Sequence, residues 1–513
     1  MKRAIHPLLL AIYPVLALLA FNITEVKPAD ALRALLVSLA SGIVLFIVLK
    51  LVLRNTQRAA LVFSTLWVLF FSYGHVYHFL DQKTLFGLSL GHHRVLIPLW
   101  LILLGAGLWW VLSKGRDLVN LTTAMNAVAI VLLVFPLLQI TSAEIRAQAA
   151  WSQARQVAAA DNGLQLTRGQ RLPDIYYIIL DAYGREDILQ ETFNYDNSPF
   201  LDQLEAAGFY VARCSLSNYA QTELSLSSSL NFDYLPALVE DINPSSLDRN
   251  PLFPLLKKSA TRQMLEGIGY QTVAFKTGYT WIQWEDADVY LVPDSKVGGL
   301  SAFEVMLVES SAAMILNDAA AFLPKPLVPD VNFPKQNHRE LILSALDKLT
   351  RLPTSVDSPK FVYAHIIAPH DPYVFDRQGN MVDISEPMDD ATFQAGYRDE
   401  LIYLNQRVIE VVKKIIRNSA IPPVIIIQGD HGPGRSSPGD RMKILNAYYL
   451  PGFNAQLLYP SITPVNTFRL VFDQYFGGQF GLLEDKSYYS VYESPYQFKE
   501  IPNECELTGS RAP

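Results

Sequence analysis

Two residues that can bind a metal ion stand side by side at positions 430 and 431. Asp430 and His431 follow the apolar run Val424–Ile427, and this pattern predicts a buried strand over 424–429. Open α/β sheets carry their chemistry at the carboxyl ends of their strands. A carboxylate and an imidazole fixed there suit a divalent transition metal such as zinc or manganese. The same pair, taken alone, is also compatible with a structural role.

A second carboxylate, Asp181, ends another apolar run. The run Ile175–Leu180 predicts a buried strand that delivers Asp181 to the same edge of a sheet. Two carboxylates that meet at one edge repel each other unless a cation lies between them. Asp181 therefore strengthens the prediction of a metal site, with a helix or turn cap as its alternative role.

Thr222 is the candidate nucleophile. The segment 218–230 carries Leu224, Leu226 and Leu230 with small residues between them, which predicts a tightly packed helix with Thr222 near its amino terminus. Backbone N–H groups and the helix dipole favour negative charge at such a position, and a metal ion lowers the pKa of the hydroxyl further. The alternative for Thr222 is an ordinary helix N-cap.

Two histidines lie at the end of a third apolar run. His365 and His370 belong to or follow the predicted strand 361–368. Imidazoles at a strand exit can donate hydrogen bonds to phosphoryl oxygens or protonate a leaving group. His370 and His365 are therefore candidates for either role, although single histidines are more often structural.

The elements that position these residues alternate between short apolar runs and longer amphipathic stretches. This alternation predicts an α/β domain with a mostly parallel central sheet flanked by helices. The stretch from Tyr397 to Ile416 has the apolar spacing of a helix that packs on the sheet. Residues 280–335 are rich in proline and small residues and are interpreted as an excursion from this core. The predicted strands are 175–181, 209–214, 271–276, 361–368, 424–429 and one near 446–450.

The first 140 residues hold the apolar excess of the chain. Five runs there are each long enough to cross a hydrocarbon core about 30 Å thick. The predicted organisation is a five-helix transmembrane region over 1–140, a juxtamembrane helix and linker over 141–172, and an extracytoplasmic catalytic domain over 173–513. The predicted spans are 7–24, 31–53, 59–79, 94–113 and 119–140.

The distribution of basic residues predicts the orientation of these spans. Cations concentrate before the first span and around every second loop, which favours a cytoplasmic amino terminus. Five crossings then leave the carboxy-terminal domain outside the inner, cytoplasmic membrane. The residues that carry this bias are Lys2, Arg3, Lys50, Arg54, Arg58, Lys114 and Arg116.

Composition restricts the class of partner. The 513-residue chain has a net charge of −7 and no cluster of basic residues, so nucleic acid is not expected as a partner. Its two cysteines, Cys214 and Cys505, both fall in the predicted exported part, where a disulfide is chemically allowed. The sequence leaves open whether they pair.

The order of these motifs resembles the sulfatase-like branch of the alkaline phosphatase superfamily over roughly 172–478. The preceding spans resemble those of its membrane-anchored phosphoethanolamine and phosphoglycerol transferases. The resemblance implies that Asp181, Thr222, Asp430 and His431 bind one divalent ion, zinc or manganese. It also implies that Thr222 becomes transiently phosphorylated and that His370 and His365 hold the substrate phosphate.

The chain lacks one sequence that sulfatases of this family need, and this absence bears on which reaction we expect. Neither cysteine begins the Cys-x-Pro-x-Arg sequence from which sulfatases of this branch make formylglycine. We therefore expect a transferase that moves a phosphorus-containing head group from a membrane lipid donor to a glycan or lipid acceptor. A hydrolase, acting on phosphodiesters or sulfuric esters, and a non-catalytic membrane-anchored binding module remain as alternatives.

Overall fold

A computed structural model of the chain describes residues 3–23, 26–80, 83–85, 88–113, 118–157, 164, 172–239, 242–294, 300–318, 333–382, 384, 388–453 and 455–505. The helices, in chain order, are α1 (His6–Phe21), α2 (Leu32–Leu53), α3 (Thr56–Leu80), α4 (His93–Leu112), α5 (Val119–Val157), α6 (Glu186–Phe193), α7 (Ser198–Ala206), α8 (Thr222–Leu230), α9 (Leu235–Leu238), α10 (Leu252–Lys257), α11 (Ala260–Gly267), α12 (Ala302–Glu309), α13 (Met314–Asp318), α14 (Phe333–Leu349), α15 (Leu352–Ser355), α16 (Asp390–Asn418), α17 (Pro438–Met442) and α18 (Thr467–Tyr475). The strands are β1 (Thr84–Leu85), β2 (Leu88–Ser89), β3 (Ile175–Leu180), β4 (Tyr210–Val211), β5 (Gln271–Phe275), β6 (Val289–Leu291), β7 (Lys360–Ile366), β8 (Val424–Gln428), β9 (Asn446–Tyr449), β10 (Tyr488–Tyr489) and β11 (Lys499–Glu500).

The chain divides into two compact units. The first unit comprises Met1–Ile145 and Gly298–Pro334, and the second comprises Arg146–Val297 and Lys335–Pro513. Residues 280–335, which the sequence indicates as an excursion from the core, are divided between the two units. Strand β6 joins the sheet of the second unit, whereas α12 and α13 belong to the first.

The first unit contains the apolar helices of membrane-spanning length. Helices α2, α3, α4 and α5 are long and apolar enough to span a bilayer. Helix α1, the first predicted span, has only 16 residues, fewer than the roughly 20 that a hydrocarbon core requires. The basic residues Lys2, Lys114 and Arg116 lie outside the described residues, as do residues 158–163 and 165–171 of the predicted juxtamembrane helix and linker.

The second unit is built on a seven-stranded sheet in the order β4-β9-β8-β3-β7-β5-β6. Strand β3 lies at the centre and is parallel to both of its neighbours, β7 and β8. Strand β9 runs antiparallel to β8 and to β4, and the remaining pairs are parallel. The mostly parallel α/β sheet predicted from the sequence is confirmed.

Both faces of this sheet are buried, which explains why its central strands are apolar without interruption. Along β3, Tyr176, Ile178 and Leu180 pack into one hydrophobic cluster. The alternate residues Tyr177 and Ile179 pack into a second cluster on the opposite face. Helix α16 covers the first face and contains the predicted helix 397–416 within longer bounds.

The carboxy-terminal segment is joined to the second unit by a disulfide. Cys214 and Cys505 are bonded, with their Cα atoms 5.5 Å apart. The pairing that the sequence left open is thus present. It joins the segment after β11 to the loop that follows β4.

Candidate metal centre and nucleophile

Three strands bring the predicted residues to one edge of the sheet. Asp181 directly follows β3, Asp430 lies two residues beyond β8, and His365 is the penultimate residue of β7. Strand β3 pairs in register with both neighbours, Ile179 lying opposite His365 on one side and Gln428 on the other. Parallel pairing of adjacent strands therefore explains why side chains so distant in sequence meet.

Thr222 is the first residue of α8, as the sequence predicts. Its neighbour Gln221 has extended backbone and stands at the N-cap position, so the alternative role of Thr222 as N-cap does not apply. The Thr222 hydroxyl oxygen lies 3.2 Å from Nε2 of His431. The candidate nucleophile thus reaches the strand-end cluster from a separate element.

A buried ion pair fixes the start of α8. Arg249 pairs with Glu223, the residue after Thr222, and both side chains are nearly inaccessible to solvent. Arg249 also donates hydrogen bonds to the side chain of Gln221 at 2.9 Å and to the carbonyl of Tyr492 at 2.7 Å. Residues on both sides of Thr222 are therefore held, which limits the positions that its hydroxyl can adopt.

Three oxygen atoms surround Nε2 of His431. It lies 3.6 Å from Oδ1 of Asp181, 3.4 Å from Oδ2 of Asp430 and 3.2 Å from the hydroxyl of Thr222. Nδ1 of His431 is 3.0 Å from the carbonyl oxygen of Gly432, an acceptor, so Nδ1 carries the proton and Nε2 presents a lone pair. Three candidate oxygen ligands thus lie within 3.6 Å of one candidate nitrogen ligand.

The donor set fits a divalent cation. Oδ1 of Asp181 and Oδ2 of Asp430 are buried and have no hydrogen-bond partner among the described residues. Buried carboxylate oxygens are costly unless they are paired. Ligands about 2.0 Å from a tetrahedral zinc ion lie roughly 3.3 Å from one another, close to the separations seen here. The residues present therefore fit a metal ion.

His365 also contacts this cluster. Its Nε2 lies 3.2 Å from Oδ2 of Asp181. One ligand atom each from Asp181, His365 and Asp430 lie within 4.8 Å of one another, so His365 is a second candidate ligand. Since its contact uses Oδ2 and leaves Oδ1 of Asp181 facing His431, the geometry favours His365 as the group that orients Asp181. The sequence assigned it to substrate binding, a role that stays a prediction.

His370 lies at the margin of the cluster. Its ring centre is 6.2 Å from that of His431, and Nδ1 is 2.6 Å from the carbonyl oxygen of Asp371. About a third of the His370 side chain is exposed, whereas His365 and His431 are buried. His370 is therefore the histidine that a substrate entering from solvent meets first.

The electrostatic environment keeps the metal-binding groups in their ligand forms. Burial alone raises the pKa of Asp181, but His370, followed by His365 and His431, outweighs burial and holds it below its usual range. Burial, with the charge of Arg441, lowers the pKa of His431 to about 4. At neutral pH the carboxylate is therefore ionised and the imidazole is neutral, as metal ligation requires.

Arg441 is a site residue that sequence reasoning missed. Its guanidinium lies 3.2 Å from Nε2 of His431 and donates hydrogen bonds to the carbonyls of Ala220 at 3.1 Å and Gly432 at 3.0 Å. Hydrogen bonds to two backbone carbonyls thus hold the positively charged guanidinium beside the cluster. Nothing in the sequence distinguishes this arginine from an ordinary surface cation of a polar loop.

Comparison with known proteins identifies a family model. The model described as sulfatase matches residues 173–471, more than half of the chain. No curated protein matches the chain.

The solved structures that match the chain share little sequence with it. The zinc complex of the periplasmic domain of EptC from Escherichia coli is 13% identical, with 65% of this chain and 93% of that chain covered and a TM-score of 0.41. The integral membrane phosphoethanolamine transferase EptA from Neisseria meningitidis is 12% identical, with 92% and 95% covered and a TM-score of 0.39. A 2-O GAG sulfatase is 11% identical, with 62% and 77% covered and a TM-score of 0.39.

Proposed function

The chain belongs to the sulfatase family, and from that premise we propose that it is a membrane-anchored, metal-dependent transferase of phosphorus-containing lipid head groups. In this proposal Asp181, Asp430, His431 and Thr222 hold one divalent cation, zinc or manganese. Thr222 is the nucleophile and carries the transferred group in a covalent intermediate.

The observation that supports this proposal most strongly is the convergence of four side chains from three separate elements. Thr222, Asp181 and Asp430 each present an oxygen 3.2 to 3.6 Å from Nε2 of His431, and two of these oxygens are buried without a hydrogen-bond partner among the residues described. A cation bound there supplies positive charge that lowers the pKa of the Thr222 hydroxyl and balances charge on phosphoryl oxygens.

The chain's own residues carry the proposed reaction. The Thr222 oxygen forms a bond to phosphorus and its proton passes to solvent, while the bond from phosphorus to the glycerol oxygen breaks. The departing diacylglycerol takes up a proton, for which His370 is our candidate donor. An acceptor hydroxyl then attacks phosphorus and loses its proton, and the bond to Thr222 breaks with return of a proton to the hydroxyl.

Arg441 has a proposed role in stabilising charge. Its guanidinium is held by the carbonyls of Ala220 and Gly432, so it is oriented before substrate binds. A planar cation with several N–H donors suits a phosphoryl group, since two donors can reach two oxygens. We propose that Arg441, with His370, binds phosphoryl oxygens and stabilises the charge that develops during transfer.

A lipid donor and a glycan or lipid acceptor fit the membrane anchor. A site tethered to a bilayer meets membrane substrates at high local concentration. We propose an inner-membrane, multi-pass location with the second unit on the extracytoplasmic side. The absence of the Cys-x-Pro-x-Arg sequence at either cysteine argues against sulfate-ester hydrolysis through formylglycine.

Intact-mass analysis of the full-length protein after incubation with phosphatidylethanolamine and phosphatidylglycerol vesicles tests the covalent intermediate. We expect a mass increment equal to one head group on wild type and on Thr222→Ser, and none on Thr222→Ala. The matched control is Ser225→Ala, because Ser225 lies on the same helix with a buried hydroxyl that has no hydrogen-bond partner among the described residues. It should retain the increment.

Other outcomes distinguish the alternatives. An unmodified wild type under turnover conditions contradicts the covalent intermediate. Release of free head group from radiolabelled lipid, without any modified acceptor, indicates a hydrolase that uses water. Absence of bound metal together with an unchanged phenotype in Thr222→Ala indicates a non-catalytic binding module.

A further inference from the structure

The first unit contains a large apolar groove that the proposed reaction does not use. Its volume is about 970 Å³, near the upper end of the roughly 300–1,000 Å³ typical of small-molecule sites. Three helices line it: α2 through Val37 and Leu45, α3 through Trp67 and Phe71, and α12 through Leu307 and Val308. Most of the side chains that line the groove are therefore apolar.

Helix α12, from the excursion, is a fixed wall of this groove. Ser301 caps the helix through a reciprocal capping box with Glu304. Phe303 is buried in a cluster with Val15 and Leu19 of α1. After the helix, the backbone N–H of Ala312 donates a 2.7 Å hydrogen bond to the carbonyl of Phe70. These contacts attach the excursion to the apolar helices and give the groove a third side.

One end of the groove is charged. Arg33, at the start of α2, forms an ion pair with Glu304 of α12. The Arg33 side chain is 60% exposed and that of Glu304 only 9% exposed. The more accessible side chain of this pair is therefore the cation, and both residues line the groove.

The length of the groove along α2 is close to the thickness of one leaflet of a bilayer. At 1.5 Å per residue, the distance along α2 from Arg33 to Leu45 is about 18 Å. Half of a hydrocarbon core about 30 Å thick is roughly 15 Å. An apolar groove of this length with a cation among the first of its α2 residues fits a single acyl chain attached to a phosphate.

We propose that this groove binds one phospholipid of the surrounding leaflet, with an acyl chain along α2, α3 and α12 and the head-group phosphate beside Arg33. The exposure of the Arg33 guanidinium and the length of the apolar lining together favour this occupant. The site lies wholly within the first unit and is distinct from the cluster around His431. Its occupant is a bound lipid and need not be the donor.

Native mass spectrometry of the full-length protein tests this proposal, with palmitoyl-oleoyl phosphatidylglycerol added to the detergent-purified chain as the probe. Wild type should retain one lipid per chain under conditions that remove detergent. Val37→Trp fills the groove and should lower lipid retention by about tenfold. The matched control is Val52→Trp, since Val52 is an exposed valine on the same helix that does not line the groove.

Two further variants keep the test decisive. Val308→Trp fills the groove from α12 and should reproduce the loss even if Val37→Trp fails to fold. Arg33→Gln should weaken retention of phosphatidylglycerol and leave binding of neutral diacylglycerol unchanged. Equal retention by Val37→Trp, Val308→Trp and wild type overturns the proposal, as does a wild type without lipid. A lipid-free dimer that dissociates in both tryptophan variants assigns the groove to a second copy instead.

Discussion

Glu400→Gln is expected to change how the stability of the second unit depends on pH. Glu400 lies in α16 and is fully buried. Its Oε2 accepts hydrogen bonds from the backbone N–H groups of Val374 at 2.7 Å and Phe375 at 3.2 Å, just after the loop that carries His370. Burial, against the effect of these two hydrogen bonds, raises the pKa of Glu400 from 4.5 to about 8.

The sign of the effect follows from the raised pKa. In the unfolded chain Glu400 ionises near 4.5, while in the folded chain it keeps its proton up to about 8. Its contribution to stability is therefore complete below pH 4.5 and is lost progressively as the pH rises to about 8. One pKa unit corresponds to about 1.4 kcal/mol, so the total loss approaches roughly 5 kcal/mol.

Thermal unfolding of the full-length protein in detergent, at a series of pH values, measures this loss. Glutamine cannot ionise, so the Tm of Glu400→Gln relative to wild type should rise by about 5 to 10 °C between pH 5 and pH 9. Glu410→Gln is the control, because Glu410 lies on the same helix, is 45% exposed and pairs with Lys414. The free energy of unfolding of Glu410→Gln should stay within about 0.5 kcal/mol of that of wild type. If the Tm difference between Glu400→Gln and wild type does not vary with pH, the raised pKa assigned to Glu400 is refuted.

Three other predictions concern the site and the disulfide. Arg441→Gln should lower kcat/KM for head-group transfer by about 100-fold, and Arg441→Lys should keep only part of the wild-type value. The control is Arg435→Gln, which should have little effect on kcat/KM, since Arg435 lies in a loop and pairs with the exposed Asp390. EDTA should abolish transfer and added zinc or manganese should restore it; activity that survives exhaustive chelation contradicts metal dependence. Cys505→Ser should destabilise the second unit by about 2–4 kcal/mol, and reduction of wild type should bring its Tm down to that of the variant.

The central strands were predictable because burial on both faces of the sheet requires apolar residues at every position of a strand. Strands β3 and β8 appear as continuous apolar runs, and the residues that follow them, Asp181 and Asp430, are identified by position alone. Strand β6 was missed because Val289–Leu291 is short and only half buried. Strand β4 has two residues where six were predicted. Edge strands have weak sequence patterns, since less of their surface packs against the core.

Contacts between distant loops were not predictable from the sequence. Arg441 reaches His431 because Ala220, more than two hundred residues earlier, accepts a hydrogen bond from it. The ion pair of Arg33 with Glu304 likewise joins residues 271 positions apart. Local patterns describe which face of an element is buried, but they do not say which loops meet. This is also why the pairing of the two cysteines stayed open.

Anomalous diffraction at the zinc edge, from crystals of the full-length protein soaked in zinc, tests the proposed metal centre most directly. We predict one strong peak about 2.0–2.2 Å from oxygens of Asp181, Asp430 and Thr222 and from Nε2 of His431. A peak ligated by His365 in place of His431, or no peak among these side chains, would contradict the proposed centre.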